Sequence, residues 1–162
     1  MKVNLGCGEL PLDGYVNVDA YSDVADIKAN VFELGPDQWN NLAEIRADHF
    51  LEHLSFHDGA LLVSRCRHWI ADDGILTVEV PDMQVILSNG PFRYWEAYVY
   101  GAQSWPDGTM HPGEFHLSGY TDESLRWLLE HNGWRVAAIE VFRSTHQNRP
   151  GMPCLKATAV AA

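Results

Sequence analysis

What most constrains this chain is a succession of short apolar segments, each cut off by residues that do not extend it. Lys2–Leu5 runs into Gly6-Cys7-Gly8, Tyr15–Val18 ends at Asp19, and Asp26–Ala29 gives way at Asn30. Glu44–Asp48 stops near His49, and Ile75–Val80, the clearest of them, is halted by Pro81. Short runs of this kind, bounded by Gly, Asp and Pro, read as strands. Between the fourth and fifth, Asp58–Ile70 places apolar residues at 61, 62, 66, 69 and 70, the spacing of one helix face. Asp72-Asp73-Gly74 then reads as a turn. Further on, Thr121 is an N-cap with Ser124 at the N3 position. Leu125, Leu128 and Leu129 form a stripe behind it, and His131-Asn132-Gly133 is a stop signal. Trp134–Phe142 and Cys154–Val160 are two late strands joined by the loop Arg143–Pro153.

Strands alternating with helices predict an α/β fold: an open, mostly parallel sheet with helices on both faces and a late antiparallel strand pair. With 162 residues and no repeat or linker, one domain is expected. Such sheets bind ligands beyond the carboxyl ends of their strands. The segment ends at 6, 19, 30, 48 and 81 are therefore expected to share one rim.

The rim residues suit a nucleoside. Gly6 and Gly8 let the backbone turn tightly and approach a ligand. Asp19, at the tip of the second strand, can accept hydrogen bonds from ribose hydroxyls. Only ten residues separate Gly8 from Asp19, against roughly twenty between the glycines and the acid of dinucleotide folds. The first crossover helix is thus expected to be missing or reduced to a turn within Glu9–Gly14. There is no third glycine for a pyrophosphate cradle, which argues against a full NAD site.

Four motifs occur in order: Leu5-Gly6-Cys7-Gly8, Gly14-Tyr15-Val16-Asn17-Val18-Asp19, Phe50-Leu51-Glu52-His53-Leu54 and Val78-Glu79-Val80-Pro81-Asp82. With the late stretch Gly119–Glu130 and Gly133-Trp134, this set resembles the class I, Rossmann-like S-adenosylmethionine-dependent methyltransferases, in particular a short type-11-like branch. The resemblance covers nearly the whole chain. It implies transfer of a methyl group from S-adenosyl-L-methionine to an oxygen or nitrogen of an unidentified acceptor. It implies that Gly6, Cys7 and Gly8 pass under the methionine part of the cofactor. Asp19 would hold the ribose, Ala20 would flank the adenine, and Asn30 with Val31 would edge it, Asn30 standing where the family usually has Asp. Asp48 and His49 would line the methionine end and the reacting face.

The aromatic-rich stretch 83–120 falls where the family places its acceptor-binding insertion. Trp105–Tyr120 is expected to form a lid, with His116, or else His111 or His49, removing a proton from the acceptor. His49-Phe50-Leu51-Glu52-His53 also matches the H-x-x-E-H pattern of certain zinc hydrolases. His49 falls at a strand end, however, so the two histidines need not share a helix face. No metal is expected, and Glu52-His53 reads as a structural turn. The runner-up reading, ahead of the zinc hydrolase, is a non-catalytic methyltransferase-like module working through a partner. The intact Gly6, Gly8 and Asp19 favour real cofactor binding over it.

Net charge is −11, and the eleven basic residues are scattered. No stripe of them could neutralise a phosphate backbone, so a small molecule, a sugar or a protein is favoured over nucleic acid as acceptor. N/D-P-P-Y/W, a Pro-Cys nucleophile loop, G-x-S-x-G and a P-loop are all absent. The three cysteines are far apart and read as small buried thiols. No apolar run approaches a membrane span and no signal peptide is visible, so a cytoplasmic location is expected. The sequence opens directly on the first strand, so no preceding helix is expected to cover the cofactor. The site is expected to be open or completed by a second subunit in a homo-oligomer.

Overall fold

In a computed structural model, the chain is described over residues 1–162 apart from 36, 90–94, 104–107, 110–111 and 146–149. Seven strands form one sheet: β1 (Lys2–Leu5), β2 (Val16–Asp19), β3 (Ile27–Lys28), β4 (Leu42–Asp48), β5 (Ile70–Pro81), β6 (Trp134–Arg143) and β7 (Pro153–Ala161). Their order is β3-β2-β1-β4-β5-β7-β6. The first five run parallel, while β7 lies antiparallel between β5 and β6. The expected open sheet and its late antiparallel pair are both present. Because β1 to β5 are parallel, their carboxyl ends fall on one edge. The chain order reverses between β1 and β4, which is where ligands bind in such sheets.

Four helices are seen among the described residues: α1 (Phe56–Trp69), α2 (Met83–Ser88), α3 (Trp95–Tyr100) and α4 (Asp122–His131). Ser55 caps α1 by accepting from Asp58 N at 3.1 Å. Leu62, Val63, Cys66 and Trp69 are buried on one face of α1. Thr121 and Ser124 form a reciprocal capping box on α4, which buries Leu125, Leu128 and Leu129. The two helices pack against each other. Trp134, 1% exposed, ties β6 to α1 by donating its indole N–H to Val63 O at 3.1 Å. Val3, Leu5, Val18, Ile45, Leu76, Val78, Leu155 and Ala157 supply the sheet side of this single core.

The strand pattern explains why the second face differs. In β4, Glu44, Arg46 and Asp48 alternate with Ile45 and Ala47. In β5, Thr77 and Glu79 alternate with Leu76, Val78 and Val80. The polar set pairs within β4, Arg46 with Asp48 at 2.6 Å, and across strands, Lys2 with Glu44 at 2.8 Å and both Arg46 and Lys156 with Glu79 at 3.4 and 3.3 Å. No helix lies between β1 and β4 among the described residues. The expectation of helices on both faces is therefore met on the α1/α4 side. The opposite side carries this charged ladder, whose acidic and Arg46 side chains are half-buried against one another.

The first crossover is reduced to turns, as its length requires. Asn17 does the work of the missing helix. Its Oδ1 accepts from Asn4 Nδ2 at 3.0 Å and from Leu12 N at 2.8 Å. Its Nδ2 donates to Leu12 O and Tyr15 O at 3.2 and 3.3 Å, and to Asp26 Oδ2 at 3.1 Å. With Asn17 buried, Asn17→Leu leaves several of these partners unsatisfied, a cost on the order of 3 kcal/mol. For a chain of this size that is a fall in Tm of roughly 5–10 °C. A thermal melt within about 1 °C of the parent would show that the 9–15 turns are held by something else.

One boundary differs from expectation. Asp72-Asp73-Gly74 belongs to β5, which begins at Ile70. Pairing steps from Leu42↔Ile70 to Glu44↔Ile75, so these residues form a bulge inside the strand. The polar turn residues are accommodated without ending the pairing.

Candidate active site

The rim is shaped first by backbone. Gly6 N and Cys7 N donate to Val18 O at 2.8 and 3.1 Å, bending the chain over the end of β2. Gly6 and Gly8 adopt φ of +68° and +50°, in the left-handed region that favours glycine. A side chain at Gly6 would run into the Phe50 ring, whereas the outer side of Gly8 is open space. Cys7 is buried with Sγ 3.4 Å from Gly8 O. Burial, then the charges of Asp19 and Asp26, push its thiol up to about 11, which leaves it an inert packing group.

Asp19 organises this rim. Its Oδ2 accepts from Gly8 N at 3.0 Å, and its Oδ1 accepts from Tyr21 N and Ser22 N at 2.7 and 2.9 Å. A carboxylate offers about four acceptor sites, so about one remains for a ligand. Asp19 is thus both the candidate ligand group and the clamp joining the glycine turn to the 20–22 turn. Asn30 is likewise engaged: its Oδ1 accepts from Phe32 N at 2.9 Å. Its side-chain oxygen therefore shapes the 30–33 turn before it can meet a ligand.

These turns enclose a cavity of about 260 Å³. Gly6, Asp19, Ala20, Asn30 and Val31 line it together. Cys7 and Gly8, which follow Gly6 in the glycine turn, are not among its lining residues. Tyr21, Phe32, Phe50, His53 and Leu54 also line it, as do Gly113 and Leu117 from the segment after β5. Of the expected lid, residues 104–107 and 110–111, with Trp105 and His111, lie outside the described residues. The described part comes back over the rim: Leu117 N and Ser118 N donate to Glu52 O at 2.7 and 3.1 Å.

Asp48 and His49 are not among the cavity's lining residues. Asp48 belongs to the polar sheet face, on Arg46. Burial, then the Glu79 charge, raise its carboxyl above the usual range against the pull of Arg46. His49 turns the chain sharply, at φ +52°. Its Nδ1 lies 3.0 Å from Glu52 Oε1, and its Nε2 lies 3.8 Å from Cys154 Sγ. His49 and His53 do not share a helix, since only Leu51–His53 form a short 3₁₀ turn.

Behind the cavity wall the fold assembles a group that the sequence motifs do not join. Glu52, 1% exposed, is approached by His49, His53 and His116. Burial opposes ionisation of Glu52. The hydrogen bond with His49 and the nearby charges of the three histidines outweigh it, bringing the carboxyl down to about 2. The His53 and His116 rings meet edge to face at 4.9 Å. His53, read from sequence as part of a turn, is the histidine on the cavity wall. The Glu52-His53 pair of the motif was its only available signal, because the link to His116 spans two distant parts of the chain.

No family model matches the chain, and no curated protein matches it by sequence. Solved structures do match in fold. A SAM-dependent methyltransferase of Methanosarcina mazei superposes with TM-score 0.70 at 12% identity, covering 99% of this chain and 91% of that one. One from Archaeoglobus fulgidus gives 0.67 at 18%, covering 98% and 85%. The 1,6-didemethyltoxoflavin-N1-methyltransferase of Burkholderia thailandensis, solved with bound 1,6-didemethyltoxoflavin and S-adenosylhomocysteine, gives 0.67 at 15%, covering 99% and 70%. The chain has the Rossmann-like fold of the class I methyltransferases.

Proposed function

We infer that the protein is an S-adenosyl-L-methionine-dependent methyltransferase acting on an oxygen or nitrogen of its acceptor. The observation that carries this reading is the convergence of Gly6, Asp19, Ala20, Asn30 and Val31 on one cavity at the sheet's reversal point. The residues fit a nucleoside with a charged tail. Asp19 keeps an acceptor site for a hydroxyl, Ala29, Val31 and Phe32 offer an apolar wall to a flat ring, and the open side of Gly8 admits a close approach. The cofactor supplies an already activated methyl group. What remains for this chain is to align the acceptor, exclude water and manage a proton.

Gly113 and Leu117 support a lid role for the segment up to Tyr120, since they stand on the same cavity as Gly6. We assign proton management to the cluster around Glu52, with His53 at the cavity and His116 against it, and His49 behind. The strongly negative net charge favours a small molecule, sugar or protein as acceptor over nucleic acid.

Incubation of cell extract with methyl-labelled donor, followed by fractionation, tests the reading. Label should enter one acceptor class in the presence of the protein. With that acceptor, His116→Ala should lower turnover by about 10²–10⁴-fold and leave affinity for S-adenosylhomocysteine within about threefold. A protein that binds the cofactor product yet labels nothing would instead be a binding module.

A further inference from the structure

We propose that Glu52, His53 and His116 form a site for a divalent transition-metal ion at the acceptor end of the cavity. One ligand atom from each of the three lies within 4.8 Å of the others. A metal bound at about 2.1 Å from each needs ligand atoms roughly 3–4 Å apart. The three side chains would have to draw together on an ion to close that difference.

Three further features point to a cation. The first is an orphan. Glu52 is buried and Oε1 meets His49, but Oε2 has no hydrogen-bond partner. A buried carboxylate oxygen without a donor is costly, and a metal ion satisfies it. The second is tautomer control. His53 Nδ1 lies 3.1 Å from Phe115 O, and His116 Nδ1 lies 3.1 Å from Tyr98 O. A carbonyl can only accept, so each Nδ1 carries the proton. With Nδ1 so held, His53 offers Nε2 to an ion once that nitrogen is unprotonated, the arrangement found behind metal-binding histidines. The third is orientation of the carboxylate: His49 donates from Nδ1 to Glu52 Oε1 while Cys154 Sγ stands near its other nitrogen.

Two imidazoles and one carboxylate suit zinc, manganese or iron(II) and leave coordination positions open. His53 reaches the cavity wall, so an open position there would face the acceptor. An acceptor hydroxyl bound to the metal would lose its proton more readily. That role rests on the methyltransferase reading, whereas the site itself does not.

The test uses the full chain after chelator treatment and dialysis, without cofactor. Titration with Co²⁺ should give visible d–d bands saturating at one ion per chain, and Zn²⁺ should displace it. Glu52→Gln and His116→Ala should abolish stoichiometric binding, and His49→Ala should weaken it about 10–100-fold. His57→Ala, on the exposed side of α1, should bind as the parent does. Circular dichroism checks that each variant is folded, and His53→Ala replaces any that is not. Parent protein that takes up neither ion, or folded His116→Ala that binds with parental affinity, overturns the proposal. Either result leaves S-adenosylhomocysteine binding untouched, so failure of the metal site and failure of the cofactor reading are separable.

Discussion

Gly6→Ala should lower folding stability by about 3 kcal/mol and weaken S-adenosylhomocysteine binding by at least about tenfold. Two penalties act together. At φ +68° an alanine sits in the left-handed region, which costs roughly 1–2 kcal/mol for a residue with a Cβ. The new methyl also runs into the Phe50 ring, which must rotate or retreat. Phe50 lines the cavity, so its displacement is felt at the ligand. Chemical denaturation and a ligand titration measure the two effects separately. Parental values in both would mean that the glycine turn is neither strained nor coupled to the cavity. Gly8→Ala is the informative contrast: it shares the positive φ but faces open space, so its stability loss should be the smaller of the two.

Asp19→Ala should have the larger effect on binding, a loss of about 100-fold or more, because it acts twice. It removes a charged acceptor for a ligand hydroxyl, and bonds to a charged group contribute about 1.5–3 kcal/mol. It also releases Gly8 N, Tyr21 N and Ser22 N, so the rim loses its shape before any ligand arrives. Stability should fall by about 1–2 kcal/mol. Asp19→Asn separates the roles, since the amide oxygen can keep part of the backbone network while the charge is gone. If Asp19→Ala binds S-adenosylhomocysteine as tightly as the parent, Asp19 does not face the ligand.

Much of the fold was legible because its signals are local. Val3-Asn4-Leu5 followed by Gly-Cys-Gly marks a strand and its exit, and Thr121 with Ser124 marks a helix start through a bond between near neighbours. The short spacing from Gly8 to Asp19 foretold the missing crossover by chain length alone. The polar face of the sheet lies in the alternation of Glu44, Arg46 and Asp48 with Ile45 and Ala47, a signal that the expectation of helices on both faces passed over. Strands buried on both faces read as continuous apolar runs, and these do not.

The site was half legible for the same reason. Gly6, Asp19, Ala20, Asn30 and Val31 sit at strand ends, and strand ends meet wherever a parallel sheet forms. Asp48 does not line the cavity, because a strand's last side chain points to one face or the other by parity, and parity placed it with Arg46. His49, expected on the reacting face, instead turns at positive φ and points to Glu52 and Cys154. The gathering of Glu52, His53 and His116 depends on the return of the 112–120 segment over the 3₁₀ turn. No periodicity or motif spacing encodes that contact.

If the cavity at the ends of β1, β2 and β3 holds S-adenosyl-L-methionine, isothermal calorimetry of the full chain with S-adenosylhomocysteine should show one saturable site per chain. The dissociation constant should fall within or below about 1 µM–1 mM, and Tm should rise under saturating ligand. No heat and no thermal shift at millimolar ligand, from protein that melts cooperatively, would contradict it.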